Sequence, residues 1–229
     1  MGQALLFAAI SSGALLLGAA AGSFWKPPDH LWAAALAFAG GALVSALAFE
    51  LFAEADKIGG VGWAAVGMAA GAATFVLVDA QLLSRLRGGA ASLGLLAAAT
   101  LDGVSENLAL GVSLTQGASY ALLVAIFIAN FPEALGSAVQ MRKGGESPGH
   151  ILAVWGGAGL LLAAAVIVGE LTLQGASGGL LAVILGFAGG AVLAALGITV
   201  FPETYKRGGP YVSLATVAGF LVAYVIAEM

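Results

Sequence analysis

Apolar runs of about 20 residues recur along the whole chain, and this feature constrains the fold more than any other. A helix that crosses a bilayer needs about 20 apolar residues, because each adds about 1.5 Å of rise and the hydrocarbon core is about 30 Å thick. The chain is 61% hydrophobic and 9% charged, which excludes an ordinary soluble domain. The predicted spans are about Gln3–Phe24, Leu31–Ala53, Gly60–Leu82, Ala91–Leu114, Ala118–Gln140, His150–Gly169, Gly178–Phe201 and Pro210–Ala227. We therefore predict an all-α membrane protein with eight transmembrane helices, forming a single polytopic domain over residues 1–229.

The basic residues predict how the helices are oriented in the membrane. Cytoplasmic loops carry an excess of Lys and Arg. Loops one, three, five and seven contain Lys26, Arg85, Arg87, Arg142, Lys143, Lys206 and Arg207, whereas the other loops contain only Lys57. We expect both termini to be extracytoplasmic, in the cell (plasma or inner) membrane. Trp25, Trp32 and Tyr205 fit an interfacial aromatic belt.

An internal repeat relates the second and seventh predicted spans. Leu36–Gly60 reads LAFAGGALVSALAFELFAEADKIGG, and Leu185–Gly209 reads LGFAGGAVLAALGITVFPETYKRGG. Roughly half of the positions are identical, including charged residues at the end, which argues against convergence of two Ala/Gly-rich helices. Spans five apart have opposite orientations, so the pattern predicts inverted-topology repeats of the kind that many secondary transporters use. Spans four and five form a central pair outside the repeats.

Polar residues lie in the middle of both central spans. Span four contains Asp102 and Glu106, which share one helix face because they are four residues apart. Span five contains Asn130 and Glu133 on either side of Pro132, which frees the carbonyl of residue 129 or its neighbour. Three unpaired charges at the bilayer centre would cost about 8–10 kcal/mol on insertion scales. Such residues normally face the protein interior and bind something.

The central residues predict a cation site. A cation between the acids would relieve their repulsion, and the neutral oxygens of Ser105 and Asn107 could add to the ligand set. We expect the transported substrate to be a divalent metal cation. Two alternatives remain: a proton-coupled carrier of a non-metal substrate that uses the same acids, and a membrane scaffold whose polar cluster only holds helices together.

Enzyme chemistry has little support in the sequence. The segment 175–178 reads GASG and matches the GxSG of rhomboid-type proteases, but the only histidines, His30 and His150, lie at loop edges on the predicted opposite side. The chain contains no HExxH motif and no cysteine, so thiolate metal sites are excluded. We expect a protein that is not an enzyme and has no bound cofactor.

The two central cores resemble those of the ZIP (Zrt/Irt-like) divalent metal transporters. The matching residues are Glu106, Asn130, Pro132 and Glu133, and the segment 108–111 (LALG) resembles the Leu-Ala-x-Gly of that family. The resemblance implies eight spans in a 3+2+3 arrangement, both termini outside, and a metal site between spans four and five. It also implies that the central pair moves with the ion against a scaffold that includes spans two and seven.

The chain departs from the ZIP pattern at the metal ligands. Both motif histidines are missing, replaced by Asp102 and Ala129, and Gly103 stands in place of the first motif asparagine. The resemblance implies Zn²⁺, whereas an all-oxygen site favours harder ions such as Mn²⁺, Fe²⁺, Mg²⁺ or Ca²⁺. We expect divalent metal ions and the lipid bilayer as partners, and no nucleic acid. The sequence permits a homodimer without requiring one.

The orientation can be tested by cysteine labelling, because the chain has no cysteine of its own. We predict that an impermeant maleimide labels a cysteine added after Met229 in intact cells but does not label one that replaces Ser84. The reverse pattern would mean that the topology is inverted.

Overall fold

A helix forms at each of the eight predicted apolar runs. The computed structural model describes residues 1–83 and 91–229, and every regular element in that part of the chain is a helix. The helices are α1 (Gly2–Phe24), α2 (Asp29–Gly59), α3 (Val61–Val78, continued by a π-helical segment, Asp79–Leu83), α4 (Ala91–Leu114), α5 (Tyr120–Lys143), α6 (Pro148–Thr172), α7 (Gly178–Gly208) and α8 (Val212–Ala227).

Six of these helices are long and apolar enough to cross a membrane: α1, α2, α3, α5, α6 and α7, judged over the described residues. The all-helical architecture therefore supports a multi-pass membrane protein. Helix α8 is apolar but has only 16 residues, fewer than the length that usually spans a bilayer. The count of eight spans and the extracytoplasmic termini stay predictions. Two of the basic residues behind the orientation, Arg85 and Arg87, lie outside the described residues.

Helices α2 and α7 extend beyond the predicted apolar runs, and ion pairs explain the extensions. The run in α2 was expected to end at about Ala53, but Lys57 pairs with Glu54 at 3.3 Å within one further turn. In α7, Arg207 pairs with Glu203, again one turn apart. Such i, i+3 and i, i+4 pairs stabilise polar helical turns that hydropathy alone does not predict.

The repeated sequence also contains a repeated irregularity. Each copy has a π-helical segment in the middle of its long helix, Leu47–Phe52 in α2 and Leu196–Val200 in α7. Their first residues, Leu47 and Leu196, occupy equivalent positions in the two repeats. Single π-helical turns within α-helices are frequent at functional sites.

The helix packing has an approximate internal symmetry. Helix α3 packs on α7 as α8 packs on α2, and α1 packs on α5 as α6 packs on α4. The contact of α2 with α5 likewise matches that of α7 with α4. Exchanging α1 with α6, α2 with α7, α3 with α8 and α4 with α5 turns each of these pairings into another. The central pair, α4 and α5, is therefore enclosed by equivalent helices on both sides.

Glycines at equivalent places make the two outer helix pairs pack closely. A methyl group at any of four positions would overlap a backbone carbonyl oxygen of the neighbouring helix. Between α2 and α8 these contacts are Gly41 on Thr216 and Gly219 on Phe38, and between α7 and α3 they are Gly190 on Met68 and Gly71 on Phe187. Small residues of this kind allow helix backbones to approach in a membrane, where association depends on packing.

The close approach of α3 to α7 can be tested by substitution. We predict that Gly71→Ala lowers the free energy of unfolding by about 1–3 kcal/mol, because the added methyl group meets the carbonyl oxygen of Phe187 and the backbones must separate. The control on the same helix is Gly62→Ala, where an added Cβ meets no neighbouring atom. The measurement is thermal unfolding of the purified protein in detergent, followed by circular dichroism. Equal stability of the two variants would contradict the packing described for α3 and α7.

Candidate functional site

Two of the three central acids, one from α4 and one from α5, face a common cavity. The two helices are joined by only five residues, 115–119, and pack against each other. Asp102 from α4 and Glu133 from α5 both line a cavity of about 80 Å³. Glu106 lies near enough to interact electrostatically with both, but it does not line the cavity. The structure thus brings together the three acids that the sequence predicted to meet.

Two of these acids have oxygen atoms with no hydrogen-bond partner among the described residues. Asp102 is 5% exposed and Glu106 is 3% exposed, and Asp102 Oδ1 and Glu106 Oε1 are the atoms concerned. A buried polar atom without a partner is costly, and more so inside a membrane, where no water from the lipid side can replace the partner. The arrangement is therefore suited to a ligand that supplies positive charge or protons.

The neutral members of the predicted ligand set are partly used in helix packing. Ser105, Asn107 and Asn130 each donate a hydrogen bond to a backbone carbonyl. The acceptors are Leu101 at 3.3 Å, Gly103 at 2.8 Å and Ser11 of α1 at 3.1 Å, respectively. The Asn130 amide nitrogen thus links α5 to α1. In all three residues, the side-chain oxygen is the atom that could still bind a cation.

Trp32 lies at the site, a contact that the predicted interfacial belt does not include. Its place in an interfacial belt stays a prediction, and the structure shows that it is half-buried and lines the same cavity as Asp102 and Glu133. Its indole Nε1 donates to the carbonyl of Pro132 at 2.9 Å, and Gly136 leaves space for the ring against α5. The indole N–H therefore satisfies a carbonyl next to Glu133 and fixes α2 against α5. The position of one tryptophan near a span end did not reveal this contact.

Polar side chains that the sequence analysis did not select also line the cavity. Ser137 and Gln140 follow Glu133 on α5, and Thr199 and Glu203 come from α7. The spacings of four and seven residues place Ser137 and Gln140 on the Glu133 face of the helix. At the far end, Glu203 pairs with Arg207, whose guanidinium lies 4.6 Å from the centre of the Trp32 ring. The cavity thus extends from the central acids toward the basic ends of α5 and α7.

A second cavity, of about 200 Å³, is lined by repeat-equivalent residues. Its walls include Glu50 and Glu54 of α2, which correspond to Thr199 and Glu203 in the other repeat. The connection between α4 and α5 closes one side, and Ser119 in that connection donates a hydrogen bond to Glu50. The central acids do not line this cavity. Equivalent openings therefore exist in the two repeats, but only the one beside Glu203 reaches Asp102 and Glu133.

The carboxylates alone do not make a closed metal site. In the part of the chain that the structure describes, no group of three His, Asp or Glu side chains is arranged to hold a metal ion. A cation in the cavity would contact the carboxylates of Asp102 and Glu133 and, beyond them, neutral oxygens.

Neither the models of known protein families nor the curated proteins compared with this chain give a match. The resemblance to ZIP transporters therefore depends on the motif residues of α4 and α5 alone.

Proposed function

We propose that this protein transports divalent metal cations across a membrane and that it is a divergent member of the ZIP family. The observation that carries the proposal is the cavity shared by Asp102 and Glu133, two acids from adjacent apolar helices. Glu106 interacts with both of them, and the motif residues Asn130 and Pro132 lie on the same stretch of α5.

A divalent cation is the ligand that best fits this charge arrangement. Two carboxylates at membrane depth repel each other, and one doubly charged ion neutralises both. The cavity offers carboxylate, hydroxyl and amide oxygens and no imidazole. Oxygen ligands suit Mn²⁺, Mg²⁺, Fe²⁺ and Ca²⁺ better than Zn²⁺, which gains from nitrogen or sulfur ligands.

The two cavities suggest how an ion would cross. The cavity beside Glu203 reaches the central acids, and the cavity beside Glu54 ends at the Ser119–Glu50 hydrogen bond. Because the helix pairings repeat, each half of the bundle would fit the arrangement that the other half has in this structure. If the two halves exchanged arrangements, the acids would be open to the Glu54 side and closed to the Glu203 side. In the proposed orientation the basic residues around Arg207 are cytoplasmic, and the Glu203 opening would then correspond to an inward-facing state.

The acids are tested by replacing each of Glu106 and Glu133 with Gln. The change keeps the shape and some hydrogen bonding but removes the negative charge. We predict that the folded variants lose metal-dependent thermal stabilisation and metal flux in liposomes, because a cation at the cavity loses charge compensation. The matched control is Glu146→Gln, a half-exposed carboxylate 3.6 Å from His150 in the loop between α5 and α6.

Each alternative function gives a different result in the same experiment. A structural cluster of protonated acids would be preserved, because Gln resembles a protonated Glu, and stability would not respond to metal in any variant. A proton-coupled carrier of a non-metal substrate would show no flux with any ion of a divalent panel. Normal metal flux in both single variants would rule out the ligand assignment.

Selectivity is tested at Asp102, which stands where the ZIP motif has histidine. We predict that Asp102→His shifts the preference toward Zn²⁺ and weakens Mn²⁺ binding, because it adds an imidazole nitrogen and removes one negative charge. The second histidine position is a poorer choice, because Ala129 is 1% exposed and packed in the core. The measurement is competitive uptake of Zn²⁺ and Mn²⁺ into proteoliposomes, beside wild type. An unchanged ratio in an active variant would mean that residue 102 does not contact the ion.

A further inference from the structure

Two hydroxyl groups of residues in the cavity wall, those of Ser137 and Thr199, differ from most other hydroxyls among the described residues. Ten other serine and threonine side chains donate to a carbonyl three or four residues earlier in the chain. Ser137 Oγ and Thr199 Oγ1 are buried and have no hydrogen-bond partner among the described residues. Ser137 as a whole is only 3% exposed. A hydroxyl in an apolar helix normally bonds to a carbonyl of its own helix, so these two are exceptions whose hydrogen-bonding capacity is unused.

The two hydroxyls lie between the central acids and the polar end of the cavity. Ser137 is one helical turn beyond Glu133 on α5, and Thr199 is one turn before Glu203 on α7. All four side chains, together with Asp102, line the same cavity. Asp102, whose Oδ1 is the unpartnered carboxylate oxygen described above, is the third lining residue with such an atom. Three residues that line this one cavity, from three different helices, therefore each carry a buried polar atom without a partner.

We propose that the Ser137 and Thr199 hydroxyls form a second station for the transported cation, one helical turn from Glu133 on the way to Glu203. This inference depends on the proposed transport of divalent cations. Hydroxyl oxygens present lone pairs to a cation and are ligands that hard divalent ions accept. They are neutral, so the station holds the ion less tightly than the two carboxylates and allows it to move on.

The space is large enough for an ion that keeps part of its hydration shell. A cavity needs roughly 10–15 Å³ to hold one water molecule, so a cavity of about 80 Å³ admits a cation with several waters. Thr199 lies in the π-helical segment of α7, and the equivalent residue of the other repeat is the acid Glu50. The station on the Glu203 side therefore has a neutral hydroxyl, that of Thr199, at the position where the other repeat has the carboxyl group of Glu50.

The test compares a double variant, Ser137→Ala with Thr199→Val, with a matched control, Ser23→Ala with Thr204→Val. The control removes two buried hydroxyls that bond within their own helices, at Ala19 and Phe201. Mn²⁺ is titrated against the thermal stability of each purified protein, with wild type and Glu133→Gln alongside. Unfolding is also measured without metal.

We expect Mn²⁺ to stabilise wild type and the control with the same apparent affinity. For the double variant we expect the affinity to fall about tenfold, the order of magnitude for losing groups that support a metal site. Without metal, the double variant should be as stable as wild type or more stable, because replacing an unsatisfied buried hydroxyl by an apolar group removes a desolvation penalty. The control should lose stability, because it breaks two hydrogen bonds.

The failures of the two proposals can be told apart. If Glu133→Gln abolishes the response to Mn²⁺ while the double variant binds Mn²⁺ as tightly as wild type, the hydroxyl station is wrong and the transport proposal stands. A double variant that loses stability without metal and keeps its affinity would assign the hydroxyls to folding and would also overturn the station. If no divalent ion of the panel stabilises wild type, both proposals fail.

Discussion

The low polarity of the surroundings of Asp102, Glu106 and Glu133 is the constraint on which the rest of the structure depends. Each charge in the middle of a span costs about 2.5–3.5 kcal/mol on insertion scales. Van der Waals packing between apolar helices does not replace the hydrogen bonds and ion pairs that a charged side chain loses when it leaves water. The acids must therefore face one another, a cavity or a ligand. The short connection between α4 and α5 brings them together, and helices of both repeats enclose them.

The repeated packing gives this enclosure two equivalent openings. Glycine contacts hold α2 to α8 and α7 to α3 so closely that a methyl group would not fit. The two π-helical segments then place Glu50 and Thr199 at equivalent positions beside the central pair. Only one opening reaches the acids in this structure, and that asymmetry between equivalent halves is what a protein needs to expose one site to one side at a time.

In the described part of the chain, hydropathy predicted a helix wherever the structure has a long one, because a run of about 20 apolar residues has few other structures available to it. It failed at the ends of α2 and α7, where ion pairs extend the helices past the apolar run. The central acids stood out in the sequence because charges are rare in spans. Trp32, Ser137 and Thr199 did not, since tryptophan near a span end and hydroxyls in apolar helices usually have interfacial or packing roles. Their place at the cavity depends on how α2, α5 and α7 pack, which no local pattern contains.

The central claim, that a divalent cation binds between α4 and α5, is tested most directly by locating the ion. Crystals grown with Mn²⁺ and measured near its absorption edge would show the metal by anomalous scattering. We predict a peak inside the cavity, within bonding distance of the Asp102 and Glu133 carboxylates or between the Ser137 and Thr199 hydroxyls. Anomalous peaks confined to surface carboxylates, with an empty cavity at saturating Mn²⁺, would contradict this account.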